Sequence, residues 1–358
     1  MYNRPLMLMR ILLSVFAAML AFAPAAGAPQ QTPYYVELLA SKRVFPEVGP
    51  GLRALKRGPG DRYYVLTAPG ASVGAYDSTG KHVGQIPAAA APGASLVYGN
   101  DLDVDAAGHL YVADLGANAV RVYNADGTLA LTIPIAAPTS VIALPEGELA
   151  VASTKSARLI SVFRGPGIGA GNPAAAGKEP GNMSAPGRIV REFGDPTEIT
   201  EHGELNRFLN VGRLATDSAG NIYYAFNYLP EPTVRRYDRN GYAAYAIELA
   251  TLEFQPVAQA ARREIQRQHE GHRSGPPALK PIITAVGVDP ATQEVWVALG
   301  AVLLHFDREG NRRATYRSFT PEGARLETSL ILVEPNRLLL GADPLGLYEF
   351  SRPDKARP

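Results

Sequence analysis

Two aspartates one residue apart, Asp101 and Asp103, stand in the segment "GNDLDVDAAGHLYVAD" from Gly99 to Asp114. Apolar and polar residues alternate on both sides of its turn-forming DAAG, the pattern of a strand, a tight turn and a second strand. Asp103 lies in mid-strand between Leu102 and Val104, where later copies of the pattern carry Ile142, Ala215, Gly287 and Ile331. A lone buried carboxylate costs several kcal/mol, so it must be paired, hydrogen-bonded or protonated. Two roles follow for Asp103. One is an internal acceptor for strand donors, and the other is membership of a functional site with Asn100, Asp101 and Arg213. In the second role Asn100 and Asp103 are also the candidate ligands of a divalent cation, which needs several oxygen donors with carboxylate charge.

Other reaction chemistries find little support. The chain has no cysteine, which removes thiol nucleophiles, thiolate metal sites and disulfides. Its six histidines show no HExxH spacing. His269-x-x-His272 falls just past a helical stretch, and His109 falls in a hairpin turn. No G-x-S-x-G elbow occurs, and no glycine-rich phosphate loop follows a strand and opens a helix. A net charge of +1, with basic and acidic residues interspersed, excludes an electrostatic case for nucleic acid.

The elements that position these residues form a repeat. Inner hairpins are carried by "VDAAGHLYVAD" (104–114), "ALPEGELAVAS" (143–153), "TDSAGNIYYAF" (216–226), "VDPATQEVWVA" (288–298) and, more loosely, "LVEPNRLLLGA" (332–342). Outer turns are an aromatic followed by a glycine-closed loop, as in Tyr76–Gly80, Tyr123–Gly127, Tyr237–Gly241 and Phe306–Gly310. Glycine supplies the positive φ there, and Asp or Asn bonds the local backbone. Four strands recurring about every 40 to 50 residues mark an all-β, six-bladed β-propeller. Its expected blades are 51–94, 95–136, 137–195, 206–250, 280–320 and 325–352, with 34–50 as a closing strand for the short last blade.

Within that repeat, "DLDVDAAGHLYVADLGANAVRVYNADG" resembles an NHL repeat, with its Asp-x-x-Gly turn, its Tyr-Val-Ala-Asp segment and its aromatic-Asn-x-x-Gly turn. The resemblance implies a six-bladed NHL-like propeller over nearly the whole mature chain. Two insertions interrupt it. Residues 165–187, rich in Gly, Pro and Ala, read as a flexible loop within the third blade. Residues 253–279 place Phe254, Val257, Ala261 and Ile265 at helical spacing, which predicts an amphipathic helix between blades four and five. At the N-terminus, Arg4 and Arg10 precede an apolar run and small residues, the layout of a signal peptide over 1–28. This layout predicts a secreted or periplasmic protein with no membrane span after cleavage.

Aligning the repeats sets Asn100, Thr139, Gly212, Thr284 and Thr328 at one level of the channel mouth, and Asp101, Ser140, Arg213, Ala285 and Ser329 at the next. The predicted site is therefore Asn100, Asp101, Asp103, Thr139, Arg213, Thr284 and Thr328, polar and mostly neutral, with His202, Arg262 and Arg263 as rim candidates. Such a lining hydrogen-bonds a ligand in a concave site. The leading reading is an exported, non-catalytic scaffold for a small molecule or a protein. The alternative is a channel-mouth enzyme, a lactonase-like hydrolase or a lyase. Propeller lactonases of the gluconolactonase type hold a divalent ion at the level of Asn100, where this chain places Thr139, Thr284 and Thr328 instead of further strong ligands.

Overall fold

The hairpin repeat closes into a ring in the computed structural model, which describes residues 35–87, 93–164, 188–249, 255–271 and 277–353. The expected signal peptide, the 165–187 loop, and Phe254 and His272 of the insertion lie outside the described residues. Six sheets make a six-bladed β-propeller. The innermost strands are Leu52–Arg57, Gly99–Val104, Pro138–Leu144, Gly212–Thr216, Ala285–Val288 and Leu330–Val333. In blades one to four the chain runs in order from the inner strand to the outer one.

The hairpin turns are held by their own aspartates. The Asp105 carboxylate accepts the N–H groups of Ala107 and His109, both at 2.9 Å, and the Tyr111 hydroxyl at 2.8 Å. Asp217 does the same for Ala219, Asn221 and the Tyr223 hydroxyl. The recurring Asp-x-x-Gly-x-x-Tyr spelling is thus a turn clamp that satisfies backbone donors locally. Asp114 is a second fixed point. Fully buried, it accepts Val97 and Tyr98 N–H and the Arg121 Nε–H, at 2.9 to 3.0 Å. Burial alone would raise its carboxyl, but these donors outweigh burial and hold it below the ordinary range.

The ring closes with strands from both ends of the chain. Blade six takes its outermost strand from Lys42–Val44, antiparallel to Gly346–Ser351. Just before it, Val36–Leu39 adds a fifth strand to blade five, parallel to Arg312–Phe319. A buried charge network ties the last blades to the first. The Arg352 guanidinium, 2% exposed, bonds Asp289, Glu294 at 2.9 Å and the Glu334 carbonyl. Glu334 in turn accepts the Tyr63 hydroxyl at 2.7 Å and pairs with Arg337 and Arg57. Burial and the Glu334 carboxylate push the Tyr63 hydroxyl up to about 12.

Close contacts between neighbouring blades set two glycines. Gly70, with φ of +81°, sits so near blade two that a Cβ would lie 2.4 Å from the Gly99 carbonyl oxygen. Gly287 leaves room for blade six, since a Cβ there would lie 2.5 Å from Ile331 Cγ2. This packing is why blade five carries no side chain at the position that holds Asp103 in blade two.

Helix α1, Gly203–Leu209, precedes the inner strand of blade four, and helix α2, Gln255–Glu270, lies between blades four and five. The first was not expected, because the acidic letters of 196–206 masked it. Leu205 and Leu209, at helical spacing, are its buried anchors. In α2 the buried stripe is Ala258, Ala261 and Ile265, whereas Val257, expected inside, is 40% exposed. Ile265 joins Leu205, Leu209 and Leu229 in one apolar cluster, which fastens both helices to the same rim. None of the helices described is long and apolar enough to cross a membrane.

Arg352 fixes the seam by compensating Asp289 and Glu294 where water has little access. Arg352→Met should lower the unfolding free energy by about 3 to 5 kcal/mol, the usual cost of leaving a buried carboxylate without its partner. Urea denaturation of the two proteins side by side measures it, and a loss under about 1 kcal/mol would show that the seam is held by its apolar packing instead.

Candidate functional site

The channel is divided, and Arg213 is the divider. From blade four its Nη1 donates to the Arg53 carbonyl of blade one, directly across the ring, at 2.9 Å. Arg53 is itself fixed, since its guanidinium lies 4.0 Å from the centre of the Tyr98 ring and donates to the Gly99 carbonyl. Arg213 lines a cavity on each side of this bridge.

The cavity at the mouth has a volume of about 430 Å³. Asn100, Thr139, Thr284, Ser329 and Asn227 bring hydrogen-bonding groups to it, Phe208 and Tyr228 form an aromatic wall, and Arg213 is the one charged residue among the described lining. Several of the polar groups also link blades. Asn100 Nδ2 donates to the Thr139 carbonyl at 2.6 Å, and the Thr284 hydroxyl donates to the Thr328 carbonyl at 2.5 Å. Thr328, 1% exposed, contributes to that link rather than to the lining. Phe208 comes from α1, and its ring centre lies 4.5 Å from that of Tyr228. Burial raises the Tyr228 hydroxyl, partly offset by the Arg213 charge. Asn227 Oδ1 is buried with no hydrogen-bond partner.

The aspartates lie below the bridge, in a cavity of about 250 Å³ that Lys56 shares. Asp103 Oδ1 is 3.2 Å from the Lys56 ammonium of blade one, and its Oδ2 accepts the Ala143 N–H of blade three at 2.8 Å. The carboxylate on blade two therefore ties both neighbouring blades to its own. Asp101 makes a second tie. It accepts the Ser140 hydroxyl and the Leu102 and Val141 N–H groups, and Ser140 Oγ accepts the Leu214 N–H of blade four at 3.0 Å. Burial raises the Asp101 carboxyl despite Arg213, Lys56 and these donors. For Lys56 burial alone would lower the pKa, but Asp103 and Asp101 reverse the direction and raise it.

The predicted site thus separates. Asn100, Thr139 and Thr284 line the mouth, Asp101 and Asp103 line the deeper cavity, and Arg213 touches both. Asn100 and Asp103, the candidate ligands of one cation, line different cavities, and the Lys56 ammonium lies 3.2 Å from Asp103. Among the described residues no three His, Asp or Glu side chains gather as a metal site. Of the rim candidates, His202 lies ring to ring with His269 at 5.0 Å, and Arg262 pairs with Glu231 at 2.6 Å beside a separate cavity under α2. Arg263 is exposed and lines neither channel cavity.

Sequence reasoning missed Lys56, Arg53, Asn227, Phe208 and Tyr228. The first two were legible. The inner strands of blades one and two share a register shift, Leu52/Ala54 and Gly99/Asp101, which aligns Arg53 with Asn100 and Lys56 with Asp103. Phe208 comes from a helix outside the repeat and Tyr228 from the loop after blade four's second strand, whereas Asn227 stands where Ala68, Leu115 and Thr154 stand in blades one to three, each with its N–H on the carbonyl just before the inner strand.

Because folding raises the Lys56 pKa, its ion pair contributes fully below the ordinary lysine value near 10.4 and loses that contribution as pH rises through the folded value. Lys56→Met should cost about 2 to 3 kcal/mol at pH 7, with the deficit constant up to about pH 10 and shrinking above it. Denaturation curves at stepped pH check this. With Asp103→Asn added, the double mutant should fall short of additivity by about 1 kcal/mol or more.

No protein-family model and no curated protein matches the chain. Solved structures do. A streptogramin B lyase is similar with a TM-score of 0.53 at 11% identity, over 85% of this chain and 84% of that one. A gluconolactonase of Xanthomonas campestris gives 0.52 at 14%, over 87% and 89%. U3-55K gives 0.52 at 11%, over 87% and 98%. At such identities the likeness establishes the propeller architecture that these proteins share, and the resemblance of blade two to an NHL repeat finds no family match beside it.

Proposed function

We propose that this propeller is a binding scaffold whose channel mouth takes a small polar molecule. The observation that carries the reading is the composition of the mouth. Hydroxyl and amide groups surround one guanidinium, with an aromatic pair on the wall, and the described lining contains no carboxylate or imidazole. Those groups orient a ligand by hydrogen bonds, while general acid–base work needs a titratable side chain within reach of the reacting atoms. Asp101 and Asp103 line the cavity below the bridge, where they hold structural donors of the neighbouring blades. A volume of about 430 Å³ is within the usual range for small-molecule sites. Fold likeness to lyases and lactonases does not weigh against this reading, because propellers host many unrelated functions. The basic and apolar N-terminal stretch supports export as the setting, with the ligand met outside the cytoplasm.

Screening the protein against a library of small polar fragments by ligand-observed NMR tests the reading. Fragments should bind the parent protein and lose about tenfold or more in affinity to Thr154→Trp, which fills the mouth from its rim. Binding that is unchanged in this variant, or turnover of a bound fragment, would displace the scaffold reading.

A further inference from the structure

The geometry points to a ligand class: we infer that the mouth binds a small monocarboxylate, its anionic group on Arg213 and its flat or apolar body against Phe208 and Tyr228. The inference rests on the mouth being a binding site and adds what it selects.

Charge placement is the first support. Of the four charged residues that line the two cavities among the described residues, Lys56 has its partner in Asp103 at 3.2 Å, and Asp101 accepts hydrogen bonds from Leu102, Ser140 and Val141. Arg213 alone has no carboxylate in ion-pair range among the described residues, and its Nη1 is used on a backbone carbonyl. Beneath it lie the Lys56 ammonium and the Asp101 and Asp103 carboxyl groups. None of the three is a direct partner of the guanidinium. A guanidinium that lines the mouth and has donors besides Nη1 is matched by a carboxylate, which accepts two N–H groups side by side.

The second support is independent of charge. Asn227 Oδ1, on the same cavity, is a buried acceptor without a donor. An acceptor left so costs about 1 to 3 kcal/mol unless a ligand or water meets it. A ligand N–H or O–H fills that need, so the preferred molecule carries a donor as well as its carboxylate. The aromatic pair, 4.5 Å between ring centres, offers a wall for the remainder.

Calorimetry with three probes of one shape separates the possibilities: 4-hydroxybenzoate, 4-hydroxybenzamide and 4-hydroxybenzylamine. The acid should bind at least about tenfold more tightly than the amide, the equivalent of one charge-assisted hydrogen bond, and the amine should bind least. Rising salt should weaken the acid and leave the amide unchanged. Arg213→Gln should bring acid and amide to parity. Should that variant fail to fold for want of its bridge, the acid-to-amide ratio on the parent protein still decides. Equal binding of acid and amide overturns the carboxylate inference and leaves the mouth as a site for neutral molecules. If no probe binds, the carboxylate inference falls, while the fragment screen judges the mouth on its own. Acid binding retained in Thr154→Trp would place the anion elsewhere and overturn the assignment to Arg213.

Discussion

Each blade of the ring is a sheet with two largely apolar faces, and neither face is buried until both neighbours are in place. The clusters that fill the spaces between blades draw on adjacent sheets. One joins Leu66, Val73 and Leu102 across blades one and two, and another joins Tyr63 and Leu55 with Leu330 and Leu339 across blades six and one. A ring with one seam open would expose two such faces at once, and each large apolar side chain left in water costs about 1.5 to 3 kcal/mol. Closure is therefore the constraint on which the rest depends. The chain meets it three ways at one place: a strand from its N-terminal side completes blade six, another lengthens blade five, and Arg352 and Glu334 join the charges of blades five, six and one.

The same constraint explains the polar channel. Inner strands converge toward the axis, where backbone N–H and C=O groups of neighbouring blades face each other without a ladder to pair them. Asp103 accepts Ala143 N–H, Asp101 accepts Val141 N–H, and Ser140 relays to Leu214. These side chains do for adjacent blades what hydrogen bonds between strands do within one. A carboxylate is suited to the task because it offers acceptor positions in several directions, and its charge is then balanced by Lys56 rather than left to the low-dielectric interior.

Much of this was legible in the letters. The turn aspartates, the glycine-closed loops and the period of the hairpins are local, so six blades and their inner strands could be read directly. Asp103 stood out because it broke the repeat, and both of its possible roles were evident. Its partner Lys56 was legible too, since blade one carries the same register shift as blade two, but blade one keeps few letters of the repeat and does not align by them. Helix α1 was hidden by an acidic sequence with only two buried leucines, and through it Phe208 was missed. Asn227 holds the place of Leu115 and Thr154 in blades two and three, but the repeat does not say which side chain at that place serves the mouth, and Tyr228 follows it in the loop. Residues placed by the repeat could be found from the repeat, and residues that individualise the mouth could not.

That contrast separates architecture from function at the level of single residues. Asp101, Asp103, Ser140 and Lys56 have their bonding capacity engaged by neighbouring blades, so altering one should be felt first as stability. Arg213 and Asn227 differ. Both line the mouth, one as a cation with no ion-pair partner among the described residues and the other as a buried acceptor with no donor. A folded chain gains nothing by leaving these groups so, since satisfying each from within would stabilise it. Their incompleteness in an otherwise well-satisfied channel is what a site looks like when the missing partner is a ligand. On the proposed reading, one guanidinium in a neutral cavity discriminates between ligands more sharply than one among many.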